Sequence, residues 1–315
     1  MNKKLQIPVG FCVAGTLAGA WVYRRYRQDL RAARERVAKG GHIIETECGL
    51  LEYGTAGNGP PVLVIHGAGG GYDQGLLISS LMLGEGFEVI APSRFGYLNS
   101  PIPEDNSLEA QVDAYASLLD ALDIDRVIVM AFSAGGPSGL HFARRYPEWT
   151  AALIMVSAVS YIDPSNAENR ERVASINRVI GSDLFYWFGI TVARSAVLDL
   201  LGVSREVQAG LMPMDKAKMG QVLDAMLPMS QRLDGILLDQ EREMPKDSPL
   251  EQIKAPTLVI HARDDSLVEY SNAQHTASRI AGSESMTLSD GGHFLAGHYD
   301  EIRARILKFL AETGQ

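Results

Sequence analysis

The chain of 315 residues contains only two cysteines, Cys12 and Cys48. That is too few for a disulfide framework. No cluster of His, Cys, Asp or Glu has metal-ligand spacing, so no metal site is expected. There is no internal repeat and no long low-complexity tract. Phosphate-binding signatures are also missing. The glycine-rich run His66-Gly67-Ala68-Gly69-Gly70-Gly71 lacks the Gly-Lys-Ser/Thr of a P-loop. Tyr72 stands where the third glycine of G-x-G-x-x-G should be, so no nucleotide cofactor is expected. Excess positive charge is absent from most of the chain. The formal net charge is −9, while residues 1–40 hold nine Lys/Arg and two Asp/Glu, a net of +7; residues 41–315 therefore carry −16. An acidic main body argues against nucleic-acid binding.

What is present suits one catalytic domain. The 46% hydrophobic and 21% charged fractions are ordinary for a globular protein long enough to bury a sizeable core. The most informative residue is Ser133, in Val127-Ile128-Val129-Met130-Ala131-Phe132-Ser133-Ala134-Gly135-Gly136. An apolar, β-branched run ends in small-x-Ser-x-small, and a helical pattern follows. A serine at so sharp a strand-to-helix turn is forced into a strained backbone and holds its hydroxyl out above the sheet. Ala131 departs from the usual G-x-S-x-G by one methyl group. Such a serine needs a base, an acid to orient the base, and donors for an oxyanion.

His293 is the base candidate, in Asp290-Gly291-Gly292-His293-Phe294, where two glycines let the turn point the imidazole inward. His42, His141, His275 and His298 lie in surface-like or helical contexts, and His261 ends an apolar strand, where packing accounts for it. The acid candidates are Asp264 and Asp265, in the loop after the buried run Pro256–His261. A carboxylate there can hold the histidine in the correct tautomer, while its neighbour caps a helix or shapes the turn. Asp290 is too close in sequence to His293 to orient it. Val62–Ile65 runs into the glycine-rich turn, whose backbone amides can face a developing negative charge. Ala68 and Ala134 are the expected oxyanion donors.

Strand-like runs fall at Ile43–Glu47, Leu50–Gly54, Val62–His66, Glu88–Pro92, Arg126–Ala131, Ala152–Ser157, Thr257–His261 and Ser285–Ser289. Helical patterns such as Leu108–Leu122 and Pro137–Tyr146 separate most of them. This alternation predicts a mostly parallel sheet covered on both faces. Ligands then bind beyond the carboxyl ends of the strands, where Ser133, Asp265, His293 and the His66-Gly67 turn all lie. The alternation breaks between about residues 160 and 247. That helical stretch holds six of the eleven methionines (Met212, Met214, Met219, Met226, Met229, Met244) and Phe185-Tyr186-Trp187-Phe188. Flexible methionines suit either a roomy apolar pocket or the stretch's own core.

From Ile43 to the C-terminus the chain resembles the α/β-hydrolase family. The resemblance rests on His66-Gly67 after a strand, the Ala-Phe-Ser-Ala-Gly elbow, Asp265 with Val268 three residues on, and Gly-Gly-His293-Phe. The loop Ile90–Tyr97 also looks like the one after the family's fourth strand. The resemblance implies an α/β-hydrolase fold: eight strands, helices on both faces, and a helical cap inserted after strand 6. It implies Ser133 as nucleophile, His293 as base and Asp265, rather than Asp264, as its partner, with His66 structural. A serine in the nucleophile position disfavours the aspartate-nucleophile branches. The implied activity is hydrolysis of a carboxylic ester, a small molecule or lipid with a lipophilic acyl group, through an acyl-enzyme. Alternatives are a pocketed binding or signalling protein, a cofactor-free perhydrolase, and a hydrolase of carbon–carbon bonds next to a ketone.

The N-terminus differs. Nineteen residues between Lys4 and Arg24 carry no charge. As a helix they extend about 28 Å, near the thickness of a hydrocarbon core. Trp21, Tyr23 and Tyr26 sit at the far end, and an Arg-rich stretch follows to Lys39. Residues 1–40 are therefore expected to form a single-pass membrane anchor and basic linker, with the catalytic domain (41–315) on the cytoplasmic side. A cleaved signal peptide, with Ala18-Gly19-Ala20 as its site, and a helix buried in the protein are the competing readings.

Overall fold

The structure, a computed structural model, describes residues 9–161, 181–242 and 244–315. Eight strands form one sheet: β1 (His42–Thr46), β2 (Gly49–Ala56), β3 (Pro61–Ile65), β4 (Glu88–Pro92), β5 (Val127–Phe132), β6 (Thr150–Val156), β7 (Thr257–Ala262) and β8 (Glu284–Leu288), in the order β1-β2-β4-β3-β5-β6-β7-β8. The pairs β1–β2 and β2–β4 are antiparallel; the others are parallel. Every one of the eight expected strands exists, displaced by at most a few residues at its ends.

The strands' near-continuous apolar character follows from burial on both faces. Val62, Val64, Ile128, Met130, Ile154, Leu258 and Ile260 face one core, packed by α2 (Tyr72–Met82) and α11 (Tyr299–Glu312). Their neighbours Leu63, Ile65, Val127, Val129, Leu153, Met155 and Val259 face the other, packed by α3 (Leu108–Ala121), α4 (Gly136–Arg145) and α10 (Ser271–Arg279). The period-2 alternation thus divides each strand between two layers.

Between β6 and β7 the described residues form α5 (Asp183–Val192), α6 (Arg194–Leu200), α7 (Arg205–Gly210), α8 (Pro213–Ala225) and α9 (Leu233–Glu241). Residues 162–180 and 243 of the expected cap lie outside the described residues. Tyr186, Trp187, Met219, Val222, Leu223, Met226 and Met229 join the first core, while Phe185, Phe188, Met212 and Met214 are exposed. The methionines therefore divide: some fill the space under these helices and two face solvent.

A largely buried ion pair fastens this helical region to the loop after β4. Arg94, in the loop after β4, forms a bidentate pair with Asp239 of α9, with Nη2 to Oδ2 at 2.7 Å, and the Tyr97 hydroxyl donates to the same carboxylate at 2.6 Å. Burial works against the Arg94 charge, but Asp239 outweighs it and holds the guanidinium above its ordinary value. Arg94→Met leaves the largely buried Asp239 without its cationic partner. It is expected to cost about 3–5 kcal/mol, whereas Arg94→Met with Asp239→Leu recovers much of that loss. Equilibrium denaturation checks this; a single variant within about 1 kcal/mol of wild type would sink the idea.

The N-terminal expectation is corrected. Among the described residues no helix is long and apolar enough to cross a membrane. Residues 1–8 lie outside the described residues. Helix α1 runs Val9–Gly40, but its uncharged part ends at Tyr23. The single-pass anchor, the membrane partner it supplied and the cytoplasmic side it assigned to the catalytic domain all fall with that span. The second half of α1 instead lies on the body of the protein. Leu30, Ala33 and Val37 are buried, Arg34 pairs with Asp183, and Arg36 pairs with Asp73.

Candidate active site

Strand β5 delivers Ser133 to the carboxyl edge of the sheet, and the chain turns at once into a helix ending at Arg145. Ser133 has φ +54°, a left-handed conformation costly for a residue with a side chain. The turn closes only because its flanks are small. A Cβ on Gly135 would lie 2.6 Å from the backbone oxygens of Ile65 and His66. The extra methyl of Ala131 is accommodated from the helix side. A Cβ on Gly139 would lie 2.5 Å from the Ala131 Cβ, so that glycine makes the room Ala131 fills.

Ser133, His293 and Asp265 come together in a hydrogen-bonded row. His293 Nε2 lies 2.8 Å from Ser133 Oγ, and His293 Nδ1 lies 2.8 Å from Asp265 Oδ2. A carboxylate only accepts, so Nδ1 carries the proton and Nε2 is left to accept from the serine. All three side chains are buried, and Phe132 and Phe294 flank the imidazole. Burial raises the Asp265 carboxyl, but His293, His261 and the Val268 amide outweigh it and hold it far below the carboxylate range. Its Oδ1 accepts from the amides of Leu267 (2.9 Å) and Val268 (3.0 Å).

The neighbouring aspartate does a different job. Asp264 Oδ1 accepts from the Gly292 amide at 2.9 Å, which pins the glycine turn before His293. Gly202, between α6 and α7, accepts from the His293 amide at 3.0 Å. Asp290 pairs with His298. His261, read from sequence as a packing residue, also reaches the site. Its Nε2 lies 2.9 Å from Val268 O and 3.2 Å from Asp265 Oδ2, so it stands beside the carboxylate that His293 uses.

The loop after β3 forms a closed turn. The Gly70 amide donates to Gly67 O at 3.2 Å, and Gly69 has φ +68°. Positive φ at the third of four positions is the type II pattern, with Ala68 at the second. The Gly67 amide donates to Gln74 Oε1 at 2.9 Å. His66 is fully buried; its Nε2 accepts from the Arg94 amide at 2.9 Å and its Nδ1 bonds Gly67 O at 2.7 Å. Burial and the nearby Arg94 charge push this imidazole well below its ordinary value, so it is neutral. The Ala68 amide has no acceptor among the described residues. Ala134 lies in the first turn of its helical segment, where amides lack intrahelical partners. Among the described residues no group of three or more His, Cys, Asp or Glu is placed to hold a metal.

Gly139, Gln74 and Gly202 were not visible as site residues in the sequence. Gln74 and Gly139 sit on helices adjoining the loops they support, and the spacing alone did not mark them. Gly202 reaches His293 from the helical stretch between β6 and β7, where sequence offers no local signal.

The alpha/beta hydrolase fold family matches residues 60–297. The uncharacterized hydrolase YcgS of Bacillus subtilis (strain 168) is 30% identical over 268 residues, 80% of this chain and 91% of its own length. The 2-hydroxymuconate semialdehyde hydrolase of Pseudomonas sp. (strain CF600) is 26% identical, covering 82% of this chain and 89% of its own. Among solved structures, an alpha/beta hydrolase fold protein from Nakamurella multipartita superposes with a TM-score of 0.69 at 27% identity, covering 88% of this chain and all of its own (100%). On a match that spans most of its length, the chain belongs to the alpha/beta hydrolase fold family and is a hydrolase of that fold.

Proposed function

We propose that the protein is a serine hydrolase acting on carboxylic esters of lipophilic acids, with Ser133 as nucleophile, His293 as general base and acid, and Asp265 as its partner. The observation that carries this reading is the unbroken row Ser133–His293–Asp265, with both contacts at 2.8 Å. Ser133 Oγ gives its proton to His293 Nε2 as it attacks the ester carbonyl. The amides of Ala68 and Ala134 hold the oxyanion. The imidazolium, steadied by Asp265, then protonates the departing alkoxide. Water repeats the sequence on the acyl-enzyme, giving its proton to His293 and releasing the acid while Ser133 is restored.

The helical stretch between β6 and β7 acts as a cap in this reading. Met226 and Met229 reach toward the oxyanion loop; a Cβ on Gly69 would lie 2.6 Å from Met226 Cε. Flexible thioether side chains there favour an apolar acyl group of variable shape. The relative that acts on 2-hydroxymuconate semialdehyde motivates a second reading, cleavage of a carbon–carbon bond next to a ketone. Arg94 and Arg232 are buried and each is committed to an aspartate, Asp239 and Asp73, so neither is free for the carboxylate of such a substrate. This favours the ester.

The test is labelling by a fluorophosphonate probe, followed by a panel of p-nitrophenyl esters of increasing acyl length. Wild type is expected to be labelled, with kcat/KM rising from acetyl toward medium chains. A folded, unlabelled wild type would move the reading to a binding protein. Strict preference for acetyl would remove the lipophilic pocket. Peroxide-dependent halogenation would point instead to a perhydrolase.

A further inference from the structure

Arg232 is a buried cationic group that the chemistry above leaves unused. It is fully buried, between α8 and α9, and its fork is divided between two parts of the protein. Nη1 donates to Gly70 O at 2.6 Å and to Asp73 Oδ1 at 3.0 Å. Nη2 donates to Asp73 Oδ2 at 2.8 Å and to Ala225 O at 2.9 Å. One guanidinium therefore joins the cap region, the first turn of α2 and the oxyanion loop.

The loop's geometry gives this contact its meaning. A peptide unit is planar, with N–H opposed to C=O. The Ala68 N–H belongs to the peptide whose carbonyl is Gly67 O. That oxygen is held by the Gly70 amide and by the His66 ring. The direction of the Ala68 N–H is therefore set by the closed turn Gly67–Gly70. One end of the turn is held by Gln74 on the Gly67 amide. The other end is held at Gly70 O by Arg232. Gly69 and Gly70, with no side chains, supply no stiffness of their own.

We infer that Arg232 is a positioning residue for the oxyanion loop, aiming the Ala68 amide through its hold on the Gly70 carbonyl. The inference rests on the serine-hydrolase reading. It makes a docked cap region a condition for a formed oxyanion hole. Arg36 of α1 provides an internal control. It grips the same Asp73 carboxylate at 2.5 Å, and Ala225 O and Leu227 O at 3.0 and 2.6 Å, but does not touch Gly70.

The experiment compares Arg232→Met, Arg232→Lys and Arg36→Met in the full chain, measuring p-nitrophenyl ester kinetics, inhibition by an alkyl trifluoromethyl ketone, and thermal midpoint. Arg232→Met is expected to lower kcat by about 10- to 100-fold at little changed KM. The ketone, which forms an oxyanion on Ser133, weakens by the same factor, because that contact exists only with the transition state. Arg232→Lys keeps a charge for Asp73 but loses the fork, and falls between. Arg36→Met keeps kcat within about twofold, since a partly exposed pair contributes little. If Arg232→Met does not fold, Arg232→Lys carries the comparison. Wild-type kcat and inhibition in Arg232→Lys and Arg232→Met would overturn the inference while leaving the serine-hydrolase reading intact. Equal kcat losses in Arg36→Met and Arg232→Met would overturn it too, by assigning the effect to the Asp73 pair. A wild type without turnover or labelling overturns both readings.

Discussion

Ser133→Ala is expected to lower kcat on a p-nitrophenyl ester by about 10⁶-fold, the scale of nucleophile removal in serine triads on unrelated folds. His293→Ala should lose nearly as much, and the double variant little more. The hydroxyl and the imidazole act as one unit: with Oγ gone there is no proton for Nε2 to accept, and with the imidazole gone the hydroxyl remains a weak nucleophile. The residue of activity left in each is what the amides of Ala68 and Ala134 supply to attack by water. Single-turnover and steady-state kinetics measure this. Losses that multiply in the double variant, or a Ser133→Ala protein retaining more than about 1% of wild-type kcat, would place the nucleophile elsewhere. The substitution should leave the fold intact, because the side chain is small and its only bond among the described residues is to His293.

How far the sequence reveals this site depends on how far apart the interacting residues lie. The elbow is legible because its cause is local. Strand, turn and helix are contiguous, so steric limits at Ala131, Ser133 and Gly135 appear within five residues. The glycine turn before His293 is legible for the same reason. The sheet is legible because parallel strands buried on two faces write themselves as unbroken apolar runs. The choice between Asp264 and Asp265 is not fixed by composition or spacing, since both carboxylates are used, one on the imidazole and one on the turn that carries it. Arg232 is illegible: its partner Gly70 is 162 residues away, and a buried arginine in a helical stretch reads like any exposed one.

The N-terminal helix shows the opposite error. Its apolar run drew attention to the first half, whereas the informative pattern lies in the second. Leu30, Ala33 and Val37 stand at i, i+3 and i+7, the spacing of one helical face, and all three are buried. The arginines between them suggested a basic stretch beside lipid headgroups. Arg34 and Arg36 instead meet Asp183 and Asp73, aspartates that are distant in sequence and nearly buried. A count of charges cannot distinguish these two fates, because only the fold supplies the partner.

The second large effect concerns Asp265. Asp265→Asn is expected to reduce kcat by about 10⁴-fold, the loss that follows when the histidine is held in the wrong tautomer. The surroundings dictate which way the amide turns. Asp265 Oδ1 accepts from the amides of Leu267 and Val268, so the asparagine carbonyl stays there. Its NH₂ must then face His293 Nδ1. A donor at that position forces the imidazole proton onto Nε2, opposite Ser133 Oγ, where an acceptor is required. His261 worsens the conflict, because its Nε2 also donates to Val268 O and meets the same NH₂. Asp264→Asn is the matched comparison. Its partner is the Gly292 amide, which an asparagine carbonyl accepts equally well, so kcat should stay within about threefold. Mild acid does not imitate Asp265→Asn. A carboxyl held far below its ordinary value adds stability that is present above the unfolded value, about 3.9, and is lost only as pH falls through the lower folded one. Asp265 therefore stays ionised throughout any assay above about pH 4, and its charge can be removed only by substitution. Steady-state kinetics of both variants at one pH decide the assignment. Comparable losses at Asp264 and Asp265, or a larger one at Asp264, would transfer the partnership to Asp264 and make Asp265 a loop anchor.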